Sequence, residues 1–343
     1  MNRITLSVCT FGMFCVLQMS LLHAADTQLG EAEVTGAWTT SAVQRTTFEY
    51  AMKNSQKLLL DRFVDTSANV VGKRPVVIFS VGGGWENASR GDGSISPFLG
   101  YLASLGHMIV SIDYRPGIKI AKANGEMTAA NGVQMYLRAI QWGVEDLFDA
   151  TSYILERTDE WNVDKDQIVI MGGSAGATNS LVAEFNVAND TELARAHLPK
   201  GFRYAGVISM AGAFWLKANT PLDFKSKPAP ILFFHGAKDQ LVTYDEVQGP
   251  FSGYGPAYYF RKFPGPDFPK WFVDYPEGDH VVAASPTIDC QHEIAAFLQK
   301  LVKERQEISV HTIEEAKIPK TFFNAPKLYG NRSSAGPDAE DKK

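Results

Sequence analysis

The chain has 343 residues, 45% hydrophobic and 21% charged, a globular composition that excludes whole-chain disorder and fibrous architectures. That length suits one large domain or two small ones, and either can bury a full core. With 33 basic against 38 acidic residues and a net charge of -5, there is no basic footprint for nucleic acid.

In chain order, Arg3 precedes a mostly apolar stretch from Ile4 to Leu22. Small residues stand at Ala24 and Ala25, and Asp26 opens a polar region. A positive start, an apolar middle and a small-residue exit make a secretory signal peptide over residues 1–25. The expectation is a secreted or periplasmic protein with no stable membrane span after cleavage. A transmembrane anchor is the alternative reading, since the stretch is almost long enough to span. Thr5, Ser7, Thr10, Gln18 and Ser20 dilute it, however, and no basic stop-transfer cluster follows. Cys9 and Cys15 leave with this segment, so Cys290 is the one thiol of the mature chain and is expected to be a packing residue. Residues 26–46 read as a polar N-terminal extension, 47–329 as the main domain, and the Gly-, Ser-, Asp- and Lys-rich tail 330–343 as disordered.

Strand-like runs lie at Thr47–Met52 and Lys57–Phe63. Continuous apolar runs, the mark of buried strands, follow at Pro75–Ser80, His107–Asp113, Gln167–Met171, Ala205–Met210, Pro230–His235 and Trp271–Tyr275. Between them, helices are predicted over Pro97–Ser104, Met135–Arg157, Ala175–Phe185 and Ile288–Lys303. The second is the clearest, with Leu137, Ile140, Val144, Leu147, Phe148, Ile154 and Leu155 at three- and four-residue steps. Strands alternating with helices predict an α/β fold: a mainly parallel central sheet with helices on both faces.

Two glycine-rich turns carry chemistry. Gly172-Gly173-Ser174-Ala175-Gly176 joins a predicted strand to a predicted helix. A serine in so tight a turn needs small neighbours, and Ser174 then projects above the sheet edge beside a helix N-terminus that favours negative charge. A glycine-rich helix entry with a capping serine is the alternative. Val81-Gly82-Gly83-Gly84-Trp85 follows another buried strand. It lacks the Lys-Ser/Thr ending of a phosphate cradle. Its position suits an oxyanion hole made from the amides of Gly83 and Gly84 with that of Ala175.

A nucleophilic serine requires a base and an acid downstream at strand ends. Asp239 stands in the loop after Pro230–Phe234, with Asp245 and Glu246 as fallbacks. His280 stands in a glycine-containing loop after Trp271–Tyr275. His280 would take the Ser174 proton and return it to the leaving group, while the acid fixes the imidazole tautomer. His235, just before the acid loop, is expected to hydrogen-bond structure. His107, His197, His292 and His311 are poorer candidates by position. Trp85, Phe214, Trp215, Tyr254, Tyr258 and Tyr259 are candidate substrate-binding aromatics. The insertion from Gly117 to Gln134 and the stretch Phe251–Phe263 are the expected pocket walls. No His-Glu-x-x-His or Cys/His cluster points to a metal, and no cofactor is expected.

From Phe48 to Val302 the chain resembles the α/β-hydrolase fold. Within it, the resemblance is to secreted bacterial carboxylesterases of the hormone-sensitive-lipase-like and BD-FAE-like kind. It rests on Gly82–Trp85, Ser111-Ile112-Asp113-Tyr114-Arg115-Pro116, Val144-Glu145-Asp146 with Asp149-Ala150, and Asp164. It continues through Gly173-Ser174-Ala175-Gly176, His235-Gly236 with Asp239, and Gly278-Asp279-His280. What it implies is a Ser174–Asp239–His280 triad acting on carboxylic esters. Export together with aromatic pocket walls extends the expected substrates from small-molecule esters to polysaccharides carrying acetyl or feruloyl groups, and the chain leaves room for little or no separate cap domain before the first core strands. Two positions depart from the family pattern. Val81 stands where a loop-orienting His is usual, and Ala177 where a second Gly is common. A peptidase or amidase with the same triad is the rival enzyme reading. A non-catalytic binding module of the same fold is the rival outside enzymology.

Overall fold

In the computed structural model, residues 42–315 are described, apart from 54, 88 and 92. The expected signal segment, residues 26–41 of the 26–46 extension and the 330–343 tail lie outside the described residues. Twelve strands occur among the described residues: β1 Val43–Lys53, β2 Gln56–Asp65, β3 Arg74–Ser80, β4 Met108–Ile112, β5 Val163–Gly173, β6 Gly206–Met210, β7 Phe214–Lys217, β8 Ile231–Gly236, β9 Glu246–Val247, β10 Phe251–Tyr254, β11 Lys270–Tyr275 and β12 Ser309–Ile313. The helices are α1 Ser96–Ser104, α2 Gly117–Ala123, α3 Gly132–Leu155, α4 Ala175–Ala188, α5 Glu192–His197, α6 Pro256–Lys262, α7 Pro286–Asp289 and α8 Gln291–Phe297. Strand β1 begins four residues ahead of the expected boundary at 47, because Val43 to Thr46 already pair with Arg62 to Asp65 of β2.

Nine strands form one sheet in the order β1-β2-β4-β3-β5-β6-β8-β11-β12. Strand β2 runs antiparallel to both its neighbours, and from β4 to β12 every pairing is parallel. The apolar runs explain this. Val76 to Ser80, Ile168 to Gly173 and all of β6 and β8 are buried, as strands covered on both faces must be. Amphipathic α3 buries Ile140, Val144, Leu147, Phe148 and Ile154 of the predicted stripe, while Leu137 and Leu155 at its ends are only partly buried. Each such side chain contributes roughly 1.5–3 kcal/mol by leaving water.

Strand order positions the site. Chain progress from β3 leads through α1 to β4 on one side, whereas progress from β5 leads through α4 to β6 on the other. Right-handed crossovers in opposite directions put α1 and α4 on opposite faces. They also leave a crevice at the carboxyl ends of β3 and β5, where the glycine loop and the Ser174 turn both emerge. A separate three-stranded sheet, β7-β10-β9, is antiparallel and unites segments that are distant in sequence.

Candidate active site

Ser174 joins β5 to α4 at φ 51° and ψ -118°, a conformation that a side chain with a β-carbon resists. Its neighbours hold it there. The Ser174 N–H donates to Met210 O at 2.8 Å, and Ser174 O accepts from Thr178 N at 2.9 Å. The first turn of α4 passes so close to the end of β3 that a β-carbon on Gly176 would stand 2.0 Å from Ser80 O. The glycine is therefore required by close approach. Packed this way, Ser174 is nearly buried but reaches the cavity above the sheet.

The expected acid and base meet it. His280 Nε2 lies 2.9 Å from Ser174 Oγ, across 106 positions of sequence, and His280 Nδ1 lies 2.7 Å from Asp239 Oδ2. Asp239 Oδ1 accepts from Leu241 N at 2.8 Å and Val242 N at 3.0 Å, which fixes the carboxylate. His235 Nε2 also approaches Oδ2, at 3.3 Å, while lying 3.2 Å from Val242 O. Burial opposes charge on Asp239, but the hydrogen bonds from His235 and His280 outweigh it and hold the carboxyl well below the ordinary carboxylate range. An ionised Asp239 takes the Nδ1 proton as a hydrogen bond, leaving Nε2 as an acceptor facing the Ser174 hydroxyl. The side chain of Asp279 caps the turn that presents His280, accepting from Val281 N at 2.9 Å. The fallback Asp245 instead pairs with Arg261 at the surface, and Glu246 is exposed on β9. His197 pairs with Asp149, and His311 with Asp274.

The glycine loop turns through positive φ at Gly83 (126°), Gly84 (62°) and Trp85 (58°). Its carbonyls are tied back: Val81 O accepts from Tyr114 Oη at 2.9 Å, and Trp85 O from Ile118 N at 3.1 Å. Gly83 O accepts from Glu86 N at 3.0 Å. Among the described residues no acceptor is bonded to the amides of Gly83, Gly84 or Ala175. Tyr114 thus anchors the loop at Val81, the position where the family pattern has a histidine. The strained φ of Trp85 is held by its indole, which donates to Asn179 Oδ1 at 3.0 Å. Behind the loop, Arg115 is clamped by Asp146 at 2.8 Å and Glu145 at 2.7 Å and lies over the Trp142 ring, which binds the segment after β4 to α3.

A cavity of about 830 Å³ opens over Ser174 and His280. Trp85 and Trp215 line it, as expected, but the structure does not bring Phe214 or Tyr254 to it. The reason is strand alternation. Phe214 precedes Trp215 on β7 and points the other way, fully buried and stacked on Tyr259 at 5.9 Å. Tyr254 is the register partner of Phe214, packs on Tyr258, and donates to Thr220 O at 2.9 Å. Tyr258 and Tyr259 are likewise absent from the lining. Tyr136 and Phe251 complete the aromatic wall. Phe251 falls in the predicted wall segment, whereas Tyr136 sits one residue before the core stripe of α3 and carries no signal apart from that neighbourhood. From the predicted insertion, Lys122 and Val133 reach the cavity.

Cys290 is buried, with Sγ 2.9 Å from Tyr275 Oη, and burial pushes its thiol up to about 12. Among the described residues no group of three or more His, Cys, Asp or Glu is clustered to hold a metal ion, and no helix is long and apolar enough to cross a membrane.

Residues 64–219 match the BD-FAE family model. No curated protein matches the chain. Among solved structures, esterase B from Lactobacillus rhamnosis, with a C4-C4 SN3 tributyrin phosphonate, is similar at 15% identity over 87% of this chain and 98% of that one, with a TM-score of 0.52. A second crystal structure of esterase B, from strain HN001, is similar at 14% identity over 86% and 96%, with a TM-score of 0.51. Thermogutta terrifontis esterase 2, phosphoramylated by tabun, is similar at 15% identity over 83% and 88%, with a TM-score of 0.46. At these identities the two esterase B structures establish a shared α/β-hydrolase fold.

Proposed function

We propose that this chain, a BD-FAE-like hydrolase of the carboxylesterase type, cleaves carboxylic esters through an acyl-enzyme on Ser174. The observation that carries the reading is the unbroken chain from Asp239 Oδ2 through His280 to Ser174 Oγ, at 2.7 and 2.9 Å. Ser174 Oγ attacks the ester carbonyl while His280 Nε2 takes its proton. The developing oxyanion faces the amides of Gly83, Gly84 and Ala175, each worth about 10²–10³ in turnover. His280 then protonates the departing alcohol, and a water deprotonated by the same nitrogen releases the acid.

Bulky esters suit the aromatic wall, and we extend the reading to deacylation of polysaccharides bearing acetyl or feruloyl groups by an exported protein. The export part rests on the pattern from Arg3 to Ala25. Ser174→Ala is expected to abolish hydrolysis of a short aryl ester with an unchanged circular-dichroism spectrum. Retained turnover would remove the mechanism. Acid release from acetylated xylan and from methyl ferulate tests the polysaccharide part. If neither yields product, that part fails while the esterase reading stands on the aryl ester. An N-terminal sequence of the exported protein that begins elsewhere than near Asp26 would overturn the cleavage site.

A further inference from the structure

Ser174 borders two cavities of very different size. One is the aromatic cavity of about 830 Å³. The other, about 110 Å³, is lined by Phe79, Ile95, Gly173, Ala284 and Thr287. Gly83, Asn87 and Ser174 belong to both, and His280 lines the large cavity only. Thr287 is buried, with its hydroxyl donating to Ala284 O at 2.8 Å.

The proton inventory of ester cleavage assigns the two spaces. The alcohol oxygen must receive its proton from His280 Nε2 as the C–O bond breaks. The hydrolytic water must then give a proton to the same atom. Both therefore occupy the side that His280 lines. The acyl chain stays bonded to Ser174 Oγ between these steps and must leave that side clear for water. We propose that the small cavity is the acyl subsite, that Ile95, Ala284 and Thr287 set the limit on acyl length, and that the alcohol lies along Trp85, Tyr136, Trp215 and Phe251. This inference rests on Ser174 being the nucleophile.

Size then selects the substrate class. A cavity of about 150 Å³ holds a benzene molecule, so 110 Å³ admits an acyl group of a few carbons and rejects a phenylpropanoid. Of the two polysaccharide options, acetyl fits and feruloyl does not. The large cavity takes the bulky partner, with Lys122 paired to Glu86 at 2.7 Å on its lining, beside Gln240. The predicted substrates are acetyl to butyryl esters of large, ring-bearing alcohols.

The test is kcat/KM on p-nitrophenyl acetate, butyrate and octanoate, and on ethyl and 1-naphthyl acetate, for the full chain and three variants. The wild-type chain should prefer butyrate to octanoate by at least about tenfold, in line with the cost of unaccommodated methylenes. Ile95→Ala should raise the octanoate-to-acetate ratio by roughly tenfold, and Ala284→Leu should lower the butyrate-to-acetate ratio by a similar factor. Phe251→Ala should shift the naphthyl-to-ethyl ratio and leave the acyl ratios alone. A wild-type preference for octanoate overturns the assignment. So do acyl ratios that respond to Phe251→Ala and ignore Ile95→Ala and Ala284→Leu. The wild-type profile decides even where a variant does not fold. If the wild-type chain cleaves none of the esters, the esterase reading itself has failed, a result distinct from a reversed acyl preference.

Discussion

Strain at Ser174 and charge at Asp239 are two halves of one device at the scale of single residues. Positive φ costs on the order of 1–3 kcal/mol, and the elbow tolerates it because Met210 O, the end of β3 and the imidazole each grip the turn. Asp239 holds the His280 imidazole in place through charge: its carboxylate is buried, yet ionised, because two histidines and two backbone amides face it. Asp239→Asn would retain the shape and reverse the hydrogen-bond polarity toward His280 Nδ1, presenting the wrong tautomer to Ser174. A fall of about 10⁴ in kcat is expected, read by steady-state kinetics beside a folded control spectrum. The same variant has a signature in stability. The folded-state pKa of Asp239 is depressed, so its stabilisation is present above the ordinary aspartate value of about 3.9 and is lost as pH falls toward the folded value. Urea midpoints of the two proteins should therefore differ at neutral pH and converge in strong acid, and a constant gap across that range would contradict the linkage. His235 acts one step back, on Asp239 rather than on substrate. Its position at the end of a buried strand suggested a structural hydrogen bond, and what sequence could not convey is that the bond reaches the acid itself.

The elements carry these residues only because they pack where side chains are missing. Gly176→Ala would drive a β-carbon into the Ser80 backbone oxygen, with no flexible side-chain end to yield. Expected is a loss of several kcal/mol or failure to fold, measured by thermal melting and soluble yield. A melting temperature equal to wild type would show that α4 can shift. Further along the same helix, Glu184 is fully buried. One oxygen accepts from Ala229 N at 2.8 Å, and the other has no partner among the described residues. Burial pushes its carboxyl up to about 7, more than the amide and Arg203 pull it down. An acid with a raised folded pKa stabilises the fold at low pH. That contribution declines as pH rises from the unfolded value, about 4.5, to 7. The decline is on the order of 3 kcal/mol. Glu184→Gln should flatten stability against pH over that window and be the more stable protein at pH 8. Parallel slopes for the two would remove Glu184 as the titrating group.

At the scale of the molecule, what sequence revealed depended on whether a signal was local. Strands β3, β5, β8 and β11 each contain a continuous apolar run, and each opens into a loop with glycine, serine, aspartate or histidine at its carboxyl end. Ser174, Asp239 and His280 are therefore marked by local signals alone. Strands β7 and β10 are four residues each and exist through pairing across more than thirty positions. No local pattern announces them, and without their phase Phe214 and Trp215 could not be told apart. Strand β12 carries no local signal for a related reason: Ser309–Ile313 alternates between exposed and intermediate positions, and its partner alone makes it a strand. It lies parallel to β11, pairing Lys270 with Ser309 through Asp274 with Ile313. Trp271 Nε1 donates to Thr312 Oγ1 at 3.0 Å, His311 stacks on Phe272 at 5.1 Å, and Glu314 N donates to Asp274 O at 2.7 Å. Strand β11 runs straight into the turn that carries His280, where Gly278 N donates to Tyr275 O. A chain ending at Glu307 would therefore bare the edge of β11 and loosen the support of the base. Unpaired edges recruit other chains, so aggregation on heating is expected, together with a melting temperature lower by on the order of 10 °C. Hydrolysis should persist at low temperature and fail well below the inactivation temperature of the full chain. Light scattering and residual activity against temperature read both effects, and a shortened chain that matches the full one in each would mean that β12 bears on neither the sheet nor the site.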